Sequence, residues 1–364
     1  MGDNFSIISL VHALGLLEGF ILGTVLLFAN RRNRSSLFLG LFLIGFSVEF
    51  LPLLLIDMAI LKQNAQMVLF TVSLTWLLFP LFFIYVQKIS IFSGQKVRYW
   101  VLYPGIASLL LQILIFILPD TVKISLQKFY FFGIYFSLGI LYSFYIIIRI
   151  NQYVQRHERE VKNQFASNKN RLLKWTRSFV ILCFIMVTIR VLTIYVEEIP
   201  FLHLTLSSIN LIIICYITVC GILQFNVLPT FKETSPNEQV ANTEIIPPEK
   251  IVDLLDRMDR YIEESGIFAK NDLTIADVAA SLKEHPRNIS YAINKHYNKH
   301  FNRYINEFRV KKAQEMIESD VLRTMSIEGL SHEVGFHSKT SFYQWFKKVT
   351  GTTPATYSKG MEVY

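Results

Sequence analysis

Two rows of hydrogen-bonding side chains recur late in the chain, each at helical spacing. The first is Arg287, Asn288, Tyr291, Asn294 and Lys295, and the second is Lys339, Thr340, Tyr343, Gln344 and Lys347. Each row lies opposite an apolar stripe: Ile289, Ala292 and Ile293 in one case, Phe342, Trp345, Phe346 and Val349 in the other. The polar faces are thereby left towards solvent or DNA. Local charge favours an anionic partner, since residues 283–312 hold eight Lys or Arg against Glu284 and Glu307. Residues 339–359 hold Lys339, Lys347, Lys348 and Lys359 with no acid among them. Such clustering is an electrostatic footprint for phosphates.

A second group of reactive side chains sits inside apolar runs: His12, Glu18, Glu49 and Arg190. An ionisable group in a membrane is costly, and each is expected to face a partner or water. Counting 1.5 Å per residue from the outer ends places His12 and Arg190 roughly 10 Å deep and Glu49 roughly 13 Å deep. A sensing cluster of His12, Glu49 and Arg190 fits these depths. So does a packing ion pair, or an Arg190 that reaches back to Glu197 and Glu198. No HExxH or GxSxG spacing appears, and Cys183, Cys215 and Cys220 form neither a CxxC nor a metal-ligand pattern. The expectation is no enzyme activity, no metal and no cofactor.

The elements that carry these residues follow from composition. Of 364 residues, 52% are hydrophobic and only 18% charged, with a net charge of +8 and a mean hydropathy of +0.37. That is more apolar than ordinary soluble domains, and it points to a membrane part. Apolar stretches near the roughly 20 residues that cross a bilayer recur at about 5–29, 36–58, 67–86, 100–118, 129–150, 178–196 and 204–223. The loops between these seven runs alternate in basic content. Fourteen Lys or Arg, from Arg31 to Arg177, fall on one side, against Lys62, Lys123 and Lys128 on the other. Cytoplasmic loops carry the excess. The predicted topology therefore has the N-terminus outside, a solvated basic loop at 151–177 inside against anionic headgroups, and everything after about 224 in the cytoplasm.

Residues 225–248, with Pro229, Pro236, Pro247 and Pro248 among polar residues, read as a flexible linker. From 249 to 364 the pattern is amphipathic and helical. Thr274 caps a helix with Asp277 three residues on, and Pro286 suits the first turn of the next. Ser326 and Ser338 cap a second pair of helices, with Gly335 turning between them. Between the pairs runs a helix at about 301–319 with Phe301, Ile305, Phe308, Ala313, Met316 and Ile317 inward. Its roughly 28 Å is comparable to the roughly 34 Å between successive major-groove turns.

The text of these elements closely resembles the DNA-binding domain of the AraC/XylS family over about 250–360. The resemblance rests on Leu273-Thr274-Ile275-Ala276-Asp277-Val278-Ala279, on Phe301 to Val310 with Ala313, and on Ser326-Ile327. It continues through Glu333-Val334-Gly335-Phe336, Ser341-Phe342, Phe346-Lys347-Lys348, Gly351, Pro354 and Tyr357, and departs from the family at Pro286, Ser331 and Ser358. It implies a transcription factor whose two helix-turn-helix units read promoter DNA. Arg287, Asn288, Tyr291, Lys339, Thr340 and Gln344 then occupy reading positions, and Arg309 lies in the linker-helix signature; Asn294, Lys295 and Lys347 complete the expected DNA-binding set.

The expected fold class is all-α: a seven-transmembrane helical domain over 1–224, the linker, and a cytoplasmic all-helical domain over 249–364 with two helix-turn-helix units on a linker helix. The expected function is a membrane-tethered, sequence-specific transcription regulator of the inner membrane, responsive to a signal through its seven helices. Expected partners are double-stranded promoter DNA, the lipid bilayer, a small-molecule or membrane signal, and a second copy in a homodimer. Two alternatives stay open: a transporter or carrier with a regulatory tail, and a DNA-binding domain merely anchored to the membrane.

Overall fold

A computed structural model describes residues 7–29, 34–57, 73–128, 131–167, 172–192, 200–225 and 247–361. The described residues are helical, with one isolated antiparallel bridge between Phe165 and Thr274. The chain divides into two compact units, one of residues 1–156 and 173–228, the other of 157–172 and 229–364.

The first unit contains α1 (Ile7–Ala29), α2 (Arg34–Val48), α3 (Leu51–Asp57), α4 (Thr75–Ile89), α5 (Tyr103–Ile117), α6 (Asp120–Lys128), most of α7 (Phe131–Gln164), α8 (Lys174–Leu192) and α9 (Pro200–Phe225). Its core is aromatic. Phe82 meets Phe179 with ring centroids 4.7 Å apart and Phe42 at 5.2 Å, in the tilted and edge arrangements that ring quadrupoles favour. Helices α1 and α2 approach through Gly23 and Gly40, where a Cβ on either would come 2.8 Å from the other's carbonyl oxygen. Small residues at a helix crossing are the usual device for close packing in lipid. Outward-facing Leu14, Leu17, Phe20 and Ile21 on α1 remain exposed.

Three described helical stretches are long and apolar enough to cross a membrane: Ile7–Phe28, Tyr99–Ile117 and Gly133–Gln164. Ser35–Val48, Thr75–Ile89 and Ser207–Gly221 are apolar but shorter. The expected run at 36–58 is two helices broken at Glu49-Phe50, where Pro52, lacking an N–H and crowding the preceding residue, restarts the chain. The expected run at 129–150 instead continues as helix to Gln164, because Gln152 to Gln164 is rich in Arg, Glu, Lys and Gln, all good helix formers. The segments 58–72, 193–199 and 226–246 lie outside the described residues, and with them most of the expected linker.

The second unit contains α10 (Ile251–Ser265), α11 (Ile275–Leu282), α12 (Pro286–Tyr297), α13 (Phe301–Glu318), α14 (Ile327–Glu333), α15 (Lys339–Thr350) and α16 (Pro354–Met361). Helix α13 serves two cores. Its N-terminal half puts Phe301, Tyr304 and Ile305 among Leu254, Met258, Val278 and Ile293. Its C-terminal half puts Val310, Ala313 and Ile317 among Leu330, Val334, Phe342 and Phe346.

The described residues 157–167 pack within this unit and do not form the expected solvated loop. His157, Val161, Phe165 and Ala166 are all buried. The Ala166 N–H donates to the Leu273 carbonyl at 2.9 Å, and the Ala166 carbonyl accepts from the side-chain amides of Asn302 and Asn306. His300 Nδ1 meets Asn163 Oδ1 at 2.8 Å. Burial, with the Lys162 and Arg159 charges, pushes the His300 imidazole below its ordinary pKa, outweighing the opposing pull of Glu160.

Candidate nucleic-acid interface

Each recognition helix is aimed by the short helix before it. Helix α11 begins in a capping box: the Thr274 hydroxyl accepts the Asp277 N–H at 3.2 Å and the Asp277 carboxylate accepts the Thr274 N–H at 2.8 Å. Burial alone would raise the Asp277 carboxyl. The Lys270 ammonium at 2.9 Å and the Thr274 donors outweigh it and hold the group below the usual carboxylate range. Lys283, at φ +55°, ends the helix in a left-handed turn. His285 is the N-cap, its Nδ1 accepting the Arg287 N–H at 3.2 Å, and Pro286 occupies the first turn of α12. That arrangement accounts for the departure at Pro286, whose missing donor costs nothing there.

The second pair is built the same way. Ser326 Oγ accepts the Gly329 N–H and Ser338 Oγ accepts the Ser341 N–H. Between them Gly335 takes φ +89°, and a Cβ there would lie 2.7 Å from the Ala269 carbonyl oxygen. Ser331, the second departure, is fully buried and satisfied, its hydroxyl donating to the Glu328 carbonyl at 2.7 Å.

On α12, Arg287, Asn294 and Lys295 are exposed while Asn288 and Tyr291 are half-buried. Tyr291 packs partly on the core, and Asn288 Oδ1 is buried without a hydrogen-bond partner. On α15, Lys339, Thr340, Gln344 and Lys347 are exposed, with the Lys339 ammonium 5.9 Å from the Tyr343 ring centroid. Val349, expected inward, is 42% exposed because it falls in the last turn, beyond the reach of the Phe342 and Phe346 contacts. Phe308 and Met316 are half-buried.

Arg309 requires a correction. Its side chain is 1% exposed, and the guanidinium donates to the Phe268 carbonyl at 2.7 Å, the Lys270 carbonyl at 2.8 Å and Asn306 Oδ1 at 3.2 Å. It also stands 5.5 Å from the Phe336 ring centroid. Burial lowers its pKa to about 10, with Asp272 opposing, which leaves it charged at neutral pH. It ties the turn before α11 to the linker helix, and no face remains for DNA. The signal was present in the spacing: Arg309 lies four residues from both Ile305 and Ala313, which are buried.

In the first unit, His12 Nε2 pairs with Ser207 Oγ at 2.7 Å, and Glu49 Oε1 accepts the Leu74 N–H at 2.6 Å. The structure thus seats Glu49 on a helix start, and the Arg190 side chain lies outside the described residues. Glu18 accepts from the Cys215 thiol. Among the described residues no cluster of three His, Cys, Asp or Glu is placed to hold a metal ion.

This geometry defines a class: a DNA-binding unit with tandem helix-turn-helix elements on one linker helix. A family profile described as "Helix-turn-helix domain" matches residues 278–360, which supports an AraC-type DNA-binding domain and a transcription regulator. No curated protein matches the chain. A solved structure of a protein of unknown function from Listeria innocua is 25% identical over 29% of this chain and 95% of that one, with a TM-score of 0.25.

Proposed function

We propose that the chain is a multi-pass regulator of the cytoplasmic membrane, N-terminus outside, whose second unit reads promoter DNA in the cytoplasm and responds to a signal received by the first. The observation that carries the reading is the pair of capped second helices, α12 and α15, which present Arg287, Asn294 and Lys295 in one case and Lys339, Thr340, Gln344 and Lys347 in the other, all exposed. The apolar first unit and its outward Leu and Phe side chains supply the tether. The Asn302, Asn306 and His300 contacts to residues 163 and 166 supply a route for the signal, since α7 contributes residues to both units.

The test is binding of full-length protein in nanodiscs to selected and random duplexes. Each base-reading side chain is worth about 1 to 3 kcal/mol of discrimination. Arg287→Ala and Gln344→Ala should therefore flatten sequence preference, while Lys347→Ala should weaken all duplexes alike and reduce the salt slope by about one. Equal affinity for random and selected duplexes at physiological salt rejects the reading.

A further inference from the structure

A cavity of about 420 Å³ opens in the first unit where the end of α4, the turn at 90–98 and the middle of α7 meet. Lys96, Arg98, Arg149 and Arg156 line it, and no carboxylate is among its lining residues. Four cations lining one cavity with no carboxylate among the lining residues repel one another. The wall holds a second anomaly. Gln87 is 4% exposed; its Oε1 accepts the Arg98 N–H at 3.1 Å, and its Nε2 is buried without a hydrogen-bond partner. A buried donor left unmade is costly, and here it sits at the wall of a positively charged cavity. Phe92 and Tyr153 complete the shape. The Arg156 guanidinium is fixed 4.8 Å from the Phe92 ring centroid, and the Tyr153 hydroxyl is tied to Ser90 at 3.0 Å.

We propose that this cavity is a binding site for a phosphate-bearing anion, held by Arg98, Arg149, Arg156 and Lys96 with the Gln87 amide donating to it. Guanidinium groups match phosphate oxygens in paired hydrogen bonds, and the volume suits a headgroup or small phosphate ester. The phosphate has two sources, an anionic lipid headgroup or a free phosphate. Lys96 and Arg98 lie in the turn after α4 and Arg149 and Arg156 on α7, basic segments that the topology proposed above puts at the cytoplasmic surface, where both are found.

The experiment uses full-length protein in a neutral maltoside detergent and follows its thermal unfolding with three added probes: dioctanoyl phosphatidylglycerol, dioctanoyl phosphatidylcholine and inorganic phosphate. Phosphatidylglycerol should stabilise at a concentration at least tenfold below phosphatidylcholine. If inorganic phosphate matches it, the ligand is a free phosphate; if only phosphatidylglycerol acts, it is the headgroup. The exposed pair Lys96→Gln/Arg156→Gln removes two of four like charges. The unliganded midpoint should therefore rise or hold while the apparent Kd for the anion weakens at least tenfold. Gln87→Glu, which replaces that donor with a carboxylate facing the anion, should abolish the shift. Equal responses to the two lipids, or a pair variant that binds like the parent, overturn the site. A pair variant that loses unliganded stability does so too, because the cations would then be serving the fold alone.

Discussion

Replacing Arg309 by Met keeps the length and apolar stem of the side chain and removes its charge and donors. Three acceptors lose their partner: the Phe268 and Lys270 carbonyls and Asn306 Oδ1. At about 1 to 3 kcal/mol per unsatisfied buried group, the loss is about 3 to 9 kcal/mol. Against it stands relief of the arginine's own burial. Its pKa falls from 12.5 to about 10, and at about 1.4 kcal/mol per unit the charged form recovers about 3 kcal/mol on removal. The net is centred near a 3 kcal/mol loss, on the order of a hundredfold in an opening equilibrium. Hydrogen exchange on the full-length protein in micelles should show it as faster exchange in 266–272 and α13, with α1 unchanged and DNA affinity reduced. Arg309→Lys should recover little, since a single ammonium cannot span both carbonyls. Exchange in 266–272 within threefold of the parent would refute the claim that this guanidinium holds the turn to the linker helix. So would loss of DNA binding without faster exchange, which would return Arg309 to the DNA contacts.

Gly335→Ala forces a Cβ to 2.7 Å from the Ala269 carbonyl in a left-handed conformation, which alone costs about 1 to 2 kcal/mol. It should lower the unfolding midpoint of the second unit, and an unchanged midpoint counts against the close approach. Docking of 157–167 should weaken with acid. His300 is held below its ordinary pKa by burial and by Lys162 and Arg159, with Glu160 opposing, so the undocked state binds the extra proton. The contact is at full strength above the unperturbed histidine pKa of about 6.5 and is lost as pH falls through that value towards the folded one. Exchange protection of 163–167 should drop between pH 7.5 and 5.5, and His300→Gln should flatten the profile.

The helix-turn-helix pairs were legible because their signals are local. Thr274, Ser326 and Ser338 each cap the helix expected of them, Pro286 starts α12, and the stripes Ile289-Ala292-Ile293 and Phe342-Phe346 are buried. What was not legible depends on residues far apart in sequence. Counting charge placed Arg309 with the phosphate contacts, whereas its partners at 268 and 270 lie about 40 residues away. The basic content of 151–177 suggested a solvated loop and hid the apolar positions Phe165 and Ala166, whose partners Thr274, Asn302 and Asn306 lie more than 100 residues on. The tract at 36–58 was read whole because hydropathy averages over the break at Glu49-Phe50.

The placement of Ala166 against α13 also sets an order for biosynthesis. The amides that satisfy its carbonyl come from Asn302 and Asn306, 136 and 140 residues later in the chain. At about 5 to 20 residues per second of synthesis, the Ala166 carbonyl waits roughly 7 to 28 seconds before the amides that satisfy it exist. For that interval the Ala166 carbonyl lacks the two side-chain amides that satisfy it in the folded protein. The DNA-binding unit is therefore assembled from the two ends of its sequence at once, late, and only after the intervening helices α8 and α9 have been made.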